Sequence, residues 1–153
     1  MTTTMRTQYR FYALTNLYIS DIQRGIQTAH AVSEMLVKYR QRDRIGPNYD
    51  EARRVYLEWA EKDKTIIVLQ GGPSGALDEA HDQIKKLSHK LTLPFVKFYE
   101  DEHSLNGALT AVGVIVPDYV YDYYTFNLED ELPYETVESA LALHTYLREF
   151  KLA

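Results

Sequence analysis

Along the chain, apolar and polar positions alternate between two periods, and the switches between them mark the elements. Residues 9–18, YRFYALTNLY, are rich in aromatics and lack Gly and Pro, which predicts a first strand that is largely buried. Helical spacing follows. Ser20 offers an N-cap with Gln23 three positions on, the spacing of a capping box, and predicts a helix over roughly 21–41. Its apolar stripe is Ile22, Ile26, Ala29, Leu36 and Val37, with Ser33 on the same line. Gln23, Gln27, His30 and Glu34 form a second stripe beside it. RDRIGPNYD breaks the helix at Gly46 and Pro47, and Asp50 is a candidate cap for a second helix, EARRVYLEWAEK.

TIIVLQ at 65–70 is a continuous β-branched run, which predicts a strand buried on both faces. GGPSG then turns the chain, and its lack of a phosphate-loop lysine leaves turn chemistry as its reading. Leu77, Ala80, Ile84, Leu87 and Leu91 make the cleanest amphipathic helix in the sequence. PFVKFYE at 94–100 and LTAVGVIV at 109–116 are two further strands, with too few residues between them for a crossover helix. They form a hairpin with a broad loop, or two strands joined over the sheet edge. After Pro117 come a tyrosine-rich segment, acidic LEDELPYE and a last helix over about 134–150, with Val137, Ala140, Leu143, Leu147 and Phe150 on its inner side. This order predicts one α/β domain over residues 1–153, a three-layer α/β/α arrangement around a four-stranded mixed sheet, followed by the tyrosine-rich segment and helix.

Composition narrows the classes of function. At 153 residues, 45% apolar and 25% charged, the chain has the make-up of one soluble domain, and no apolar run is long enough to span a membrane. MTTTMRTQYR lacks the apolar centre of a secretory signal, so the cytoplasm is the expected compartment. With no cysteine, disulfides, thiolate metal sites and a cysteine nucleophile are excluded. A net charge of −5 disfavours long duplex nucleic acid, whose binding rests on neutralising phosphates. Thirteen tyrosines, among them Tyr119, Tyr121, Tyr123 and Tyr124 in VPDYVYDYYTF, suit a sheet surface or a subunit interface better than ligand stacking, and predict a homo-oligomer.

Ligands of such sheets sit beyond the carboxyl ends of the strands. There the first strand leads into SDIQRGIQTAHA and the third into EDEHSLNG. His30 is a candidate base with Glu100 or Asp101 to orient it, and Ser104, Asn106 and the amide of Gly107 are candidate donors to an oxyanion. The competing reading makes His30 a hydrogen-bonded core residue. Gln23 and Gln27, one turn apart, suit a nucleobase or ribose if they face the cleft, and are solvated if they do not. Adjacent acids on an extended loop diverge, so EDEH is not read as a metal site, and neither metal nor cofactor is expected.

Taken in order, these features resemble the type II peptidyl-tRNA hydrolase family. The likeness lies in the first strand, Q-x-x-H-A at Gln27, His30 and Ala31, WAEKDKTIIVLQ, the helix after it, the strand ending in acids, and the Gly-containing loop before LTAVGVIVP. EDEHSLNGALTAVG is similar to an uncharacterised branch of that family with an acidic L-N-x-x-L-T-A loop. The resemblance covers residues 9–118 and leaves 119–153 as a C-terminal extension. It implies that His30, Glu100 or Asp101, and Ser104 occupy catalytic positions, and that Gln23, Arg24, Gln27, Asn106, Gly107 and Thr110 line a ligand site. The family's lysines before the helix have no counterpart, since Arg24 is the only cation of YISDIQRG. The implied function is hydrolysis or binding of an aminoacyl- or peptidyl-nucleotide ligand, the tRNA 3′ end included. The alternatives are a non-catalytic, oligomeric binder of a small nucleotide or nucleotide-derived signal, and a protein–protein module.

Overall fold

The computed structural model describes residues 6–16, 19–40, 47–100 and 108–153. Strands β1 (Tyr9–Asn16), β2 (Ile66–Gly72), β3 (Phe95–Tyr99) and β4 (Leu109–Pro117) form one mixed sheet in the order β2-β1-β4-β3. β1 and β2 are parallel, with Phe11 opposite Ile66 and Thr15 opposite Gln70. A parallel pair needs a crossover, supplied by helices α1 (Asp21–Arg40) and α2 (Pro47–Glu58). Helix α3 (Ser74–Leu91) leads from β2 to β3, and β3 and β4 pair antiparallel, as the hairpin reading requires. The fold is therefore α/β.

β4 is buried along all nine of its residues because it lies between β1 and β3. Gly113 at its middle is forced: a Cβ there would come within 2.6 Å of the Phe11 ring. Phe11 in turn packs on Trp59, with ring centroids 5.2 Å apart. On β3, Phe98 stacks on His30 of α1, while Phe95 packs on His81 and His89 of α3 with Lys38 of α1 over its ring. The outer edges of the sheet are both partly covered. At β3, Lys38 donates to the Phe95 carbonyl (2.7 Å) and the Phe95 amide donates to the Tyr39 hydroxyl (3.1 Å). At β2, residues 151–153 add a short antiparallel bridge, with Gln70 N–H to Lys151 O at 2.8 Å and Ala153 N–H to Val68 O at 3.0 Å.

Three expectations are corrected. TIIVLQ is not buried on both faces, because β2 is an edge strand and Ile66 is exposed; a β-branched run does not reveal where in the sheet a strand falls. α2 begins at Pro47 rather than at an Asp50 cap, since proline at a first helical position lacks only a donor that would be unpaired anyway. It continues into a five-residue π-helical turn, Trp59–Asp63, which ends at Lys64 in the left-handed region (φ 56°). The Trp59 indole there donates to Thr65 O at 2.8 Å.

The tyrosine-rich segment coils into a short helix α4 (Asp118–Tyr121) and a 3₁₀ turn at Tyr123–Thr125. Tyr121 lies under the Arg10 guanidinium at 3.9 Å, and Tyr123 and Tyr124 pack on His144 of the last helix, α5 (Tyr134–Leu147). Burial, reinforced by the nearby Tyr9 and Glu51, pushes the Tyr119 phenol up to about 12. Most of the cluster is thus engaged within the chain. α5 buries Val137, Ala140, Leu143 and Leu147 as expected, with Phe150 beyond its end against Tyr146.

The third correction concerns α1. Its buried residues are Gln27, Thr28, Ala31, Met35 and Tyr39, while Ile22, Ile26, Ala29, Ser33, Leu36 and Val37 face outward. The stripe of higher apolarity is the wrong one for the core, because the sheet end that α1 covers carries polar groups of its own.

Candidate functional site

β1 and β3 both run antiparallel to β4, so their carboxyl ends share one end of the sheet with the start of β4. Asn16, Glu100 and Thr110 are therefore brought together by topology, and the first turns of α1 lie over them. Ser20 caps that helix, its hydroxyl accepting from the Gln23 amide N–H at 3.2 Å.

Gln27 is the centre of the arrangement, at 1% exposure. Its Nε2 donates to Glu100 Oε2 at 2.7 Å, and its Oε1 accepts from the Thr110 hydroxyl at 2.8 Å. A buried amide needs partners for both ends, and here helix and sheet supply one each. Thr110 reaches α1 because of a register shift: Phe98 pairs with Ala111 and Tyr99 with Leu109, leaving Thr110 as the extra residue of a bulge. Without it Thr110 would have the parity opposite to Ala111. Asn16, buried at the end of β1, donates from Nδ2 to Leu109 O at 3.5 Å.

Arg24 stands one turn before Gln27 and Thr28, with its side chain 15% exposed. Nη1 bonds Asp21 Oδ1 at 3.2 Å, and Nε is buried without a hydrogen-bond partner among the described residues. Thr28 donates to the Arg24 carbonyl at 2.7 Å. Gln23 is exposed, so the amide pair is split, one solvated and one buried. His30 is half-buried and lies flat on Phe98, centroids 4.4 Å apart and planes 4° apart. Among the described residues it has no hydrogen-bond partner, and the Glu100 carboxylate reaches Gln27. Asp101, Ser104, Asn106 and Gly107 lie outside the described residues.

The structure thus joins Gln27, Glu100 and Thr110 and sets Arg24 close by along the helix. Asn16 and Thr28 were missed by the sequence reading. A polar residue closing an apolar strand at its carboxyl end was the available signal for Asn16; Thr28 sat between two stripes and gave none. Chemically, the group offers a carboxylate, a fixed amide and a half-buried guanidinium, which recognise hydrogen-bonding and anionic groups. No family model matches the chain, and no curated protein does either. No helix among the described residues is long and apolar enough to cross a membrane.

Proposed function

We propose that this end of the sheet binds a small nucleotide-type ligand, including the nucleotide portion of an aminoacyl or peptidyl ester, and holds it without cleaving it. The observation that carries the reading is the Gln27 amide fixed between Glu100 and Thr110. Three groups that would each be costly to bury alone are organised at a strand end before any ligand arrives. Arg24, paired with Asp21 at 3.2 Å, supplies a guanidinium suited to a phosphate. Hydrolysis, implied by the peptidyl-tRNA hydrolase resemblance, needs a positioned base, and His30 rests on Phe98 with no carboxylate to orient it among the described residues. We take the protein to work in the cytoplasm, a reducing compartment that suits a chain without cysteine, and as a homodimer or higher oligomer.

The test combines a thermal-shift panel of mono- and cyclic nucleotides with release of the amino acid from a protected aminoacyl-tRNA. A ligand at 100 times its dissociation constant stabilises the fold by about 2.7 kcal/mol, a shift that a melt resolves. The expected result is stabilisation by at least one nucleotide, its loss in Arg24→Gln, and ester release no faster than in buffer. Ester turnover that disappears in His30→Ala would overturn the binding reading in favour of hydrolysis; no shift with any nucleotide and no turnover would remove both.

A further inference from the structure

The outward face of α1 holds what an ordinary helix buries. Ile22 is 78% exposed, Val37 56%, and Ile26 and Leu36 42% each. Residues 22, 26, 29, 33, 36 and 40 follow one another at alternating steps of four and three, the spacing of a helix–helix seam, and Val37 widens it. We propose that this face pairs with the same face of a second copy of the chain, α1 against α1, antiparallel across a twofold axis that passes near Ala29.

Two observations choose that occupant and that direction. The first is the distribution of bulk. Ile22 and Ile26 stand at one end of the stripe, Leu36 and Val37 at the other, with Ala29 and Ser33 between. In an antiparallel pair Ile22 lies beside Leu36 of the partner subunit and Ile26 beside the partner's Ser33. Ala29 then meets the partner's Ala29 at the axis, where the helices approach most closely, and the small Ser33 leaves room for the partner's Ile26. The second is charge. Asp21 lies in the first turn and Arg40 in the last, so antiparallel pairing sets acid against base at both ends and opposes the helix dipoles. A parallel pair would place Arg40 against the partner's Arg40. One surface that complements itself in this way is the signature of a twofold interface. It lies on the side of α1 opposite Gln27, so the inference does not rest on the proposed ligand site.

Because the chain has no cysteine, single substitutions report the geometry directly. Sedimentation at about 100 μM, a concentration that populates even a micromolar complex, is expected to give the dimer mass. Ile26→Glu and, separately, Val37→Glu are expected to give monomers with the parent chain's circular dichroism and, at high dilution where the parent is also monomeric, its cooperative melt. Under an added oxidant, Ala29→Cys should form a covalent dimer. Ile22→Cys alone should not, whereas Ile22→Cys combined with Leu36→Cys should. A monomeric parent chain, a dimer that survives both glutamate variants, or cross-linking of Ile22→Cys as fast as that of Ala29→Cys would overturn the proposal.

Discussion

Helices α1 and α3 are of similar length, 20 and 18 residues, and both pack on the sheet, yet they treat their apolar residues in opposite ways. α3 turns Leu77, Ala80, Ile84, Leu87 and Leu91 inward. α1 turns a comparable stripe outward and buries an amide and a hydroxyl in its place. The difference follows from what each covers. α3 packs on β4 and on α5, which present side chains such as Val112, Val114 and Leu143. The first half of α1 lies over the strand ends, where Glu100 and Thr110 need polar partners; only its second half, with Ala31, Met35 and Tyr39, behaves as a core helix. A helix whose apolar stripe is not its buried face has two surfaces to explain, and here they are the candidate site and the proposed interface.

The largest expected effect lies on the ordinary side of this comparison. Ile84→Ala removes a fully buried side chain from α3 and should cost about 2–5 kcal/mol in a urea titration, through lost burial and the cavity left behind. A cost under about 1 kcal/mol would mean that α3 is not the core helix that its pattern and burial make it.

Next comes Gln27→Leu, which is apolar and similar in size yet replaces the one residue that joins α1 to both Glu100 and Thr110. Stripping the carboxylate and the hydroxyl of this partner should cost about 1–3 kcal/mol, although a leucine at a buried helix position would ordinarily be favourable. Thr110→Val breaks the same chain of hydrogen bonds from the other end. The double variant should therefore be less destabilised than the sum of the two by at least about 0.5 kcal/mol. Strict additivity in a denaturation cycle would show that the two bonds do not form a unit.

These two helices also show where the sequence could be read and where it could not. Leu77 through Leu91 declared α3 because a single stripe was the only apolar surface available, and LTAVGVIV declared β4 as a strand, though not its central place. For α1 the helix and its Ser20 cap were legible, but not its orientation. Periodicity gives the angle between residues, never the direction in which the sheet lies, and the most apolar stripe was the natural guess. The same limit applies to TIIVLQ, whose place at the sheet edge is a property of strand order rather than of composition. At the site, Gln27 and Glu100 were legible as polar residues near strand ends. The bulge that swings Thr110 toward α1 was not, because it depends on the register between two strands.

A smaller effect is one of pH. Burial, with Lys97, Lys38 and Lys85 around it and Asp82 opposing, holds the His81 imidazole of α3 below its ordinary range. A histidine depressed in the folded chain is neutral there while the unfolded chain is already taking up a proton. Its contribution to stability is whole above the unfolded value of about 6.5 and declines as the pH falls from there through the folded one. Replacing it by glutamine should flatten that part of the profile. Urea midpoints of the parent chain and His81→Gln, compared between about pH 7.5 and pH 5, should converge toward the acid end if the parent's midpoint exceeds the variant's at the higher pH; parallel profiles would show that His81 does not titrate differently in the two states.

The smallest expected effect is the one that most sharpens the comparison. Ile26→Ser replaces an isoleucine with a polar residue, a change that would cost several kcal/mol at Ile84, where the side chain is wholly enclosed. Ile26 faces away from the sheet, and serine is not far below isoleucine as a helix former, so the fold of a single subunit should keep its stability within about 0.5 kcal/mol. The measurement is made at high dilution, where association adds nothing to the stability of either chain. Raising the concentration should then separate the two, the parent gaining stability as it dimerises and the variant gaining less. A cost at high dilution approaching that of Ile84→Ala would mean that the stripe is buried within one subunit, and the contrast between α1 and α3 would fall with it.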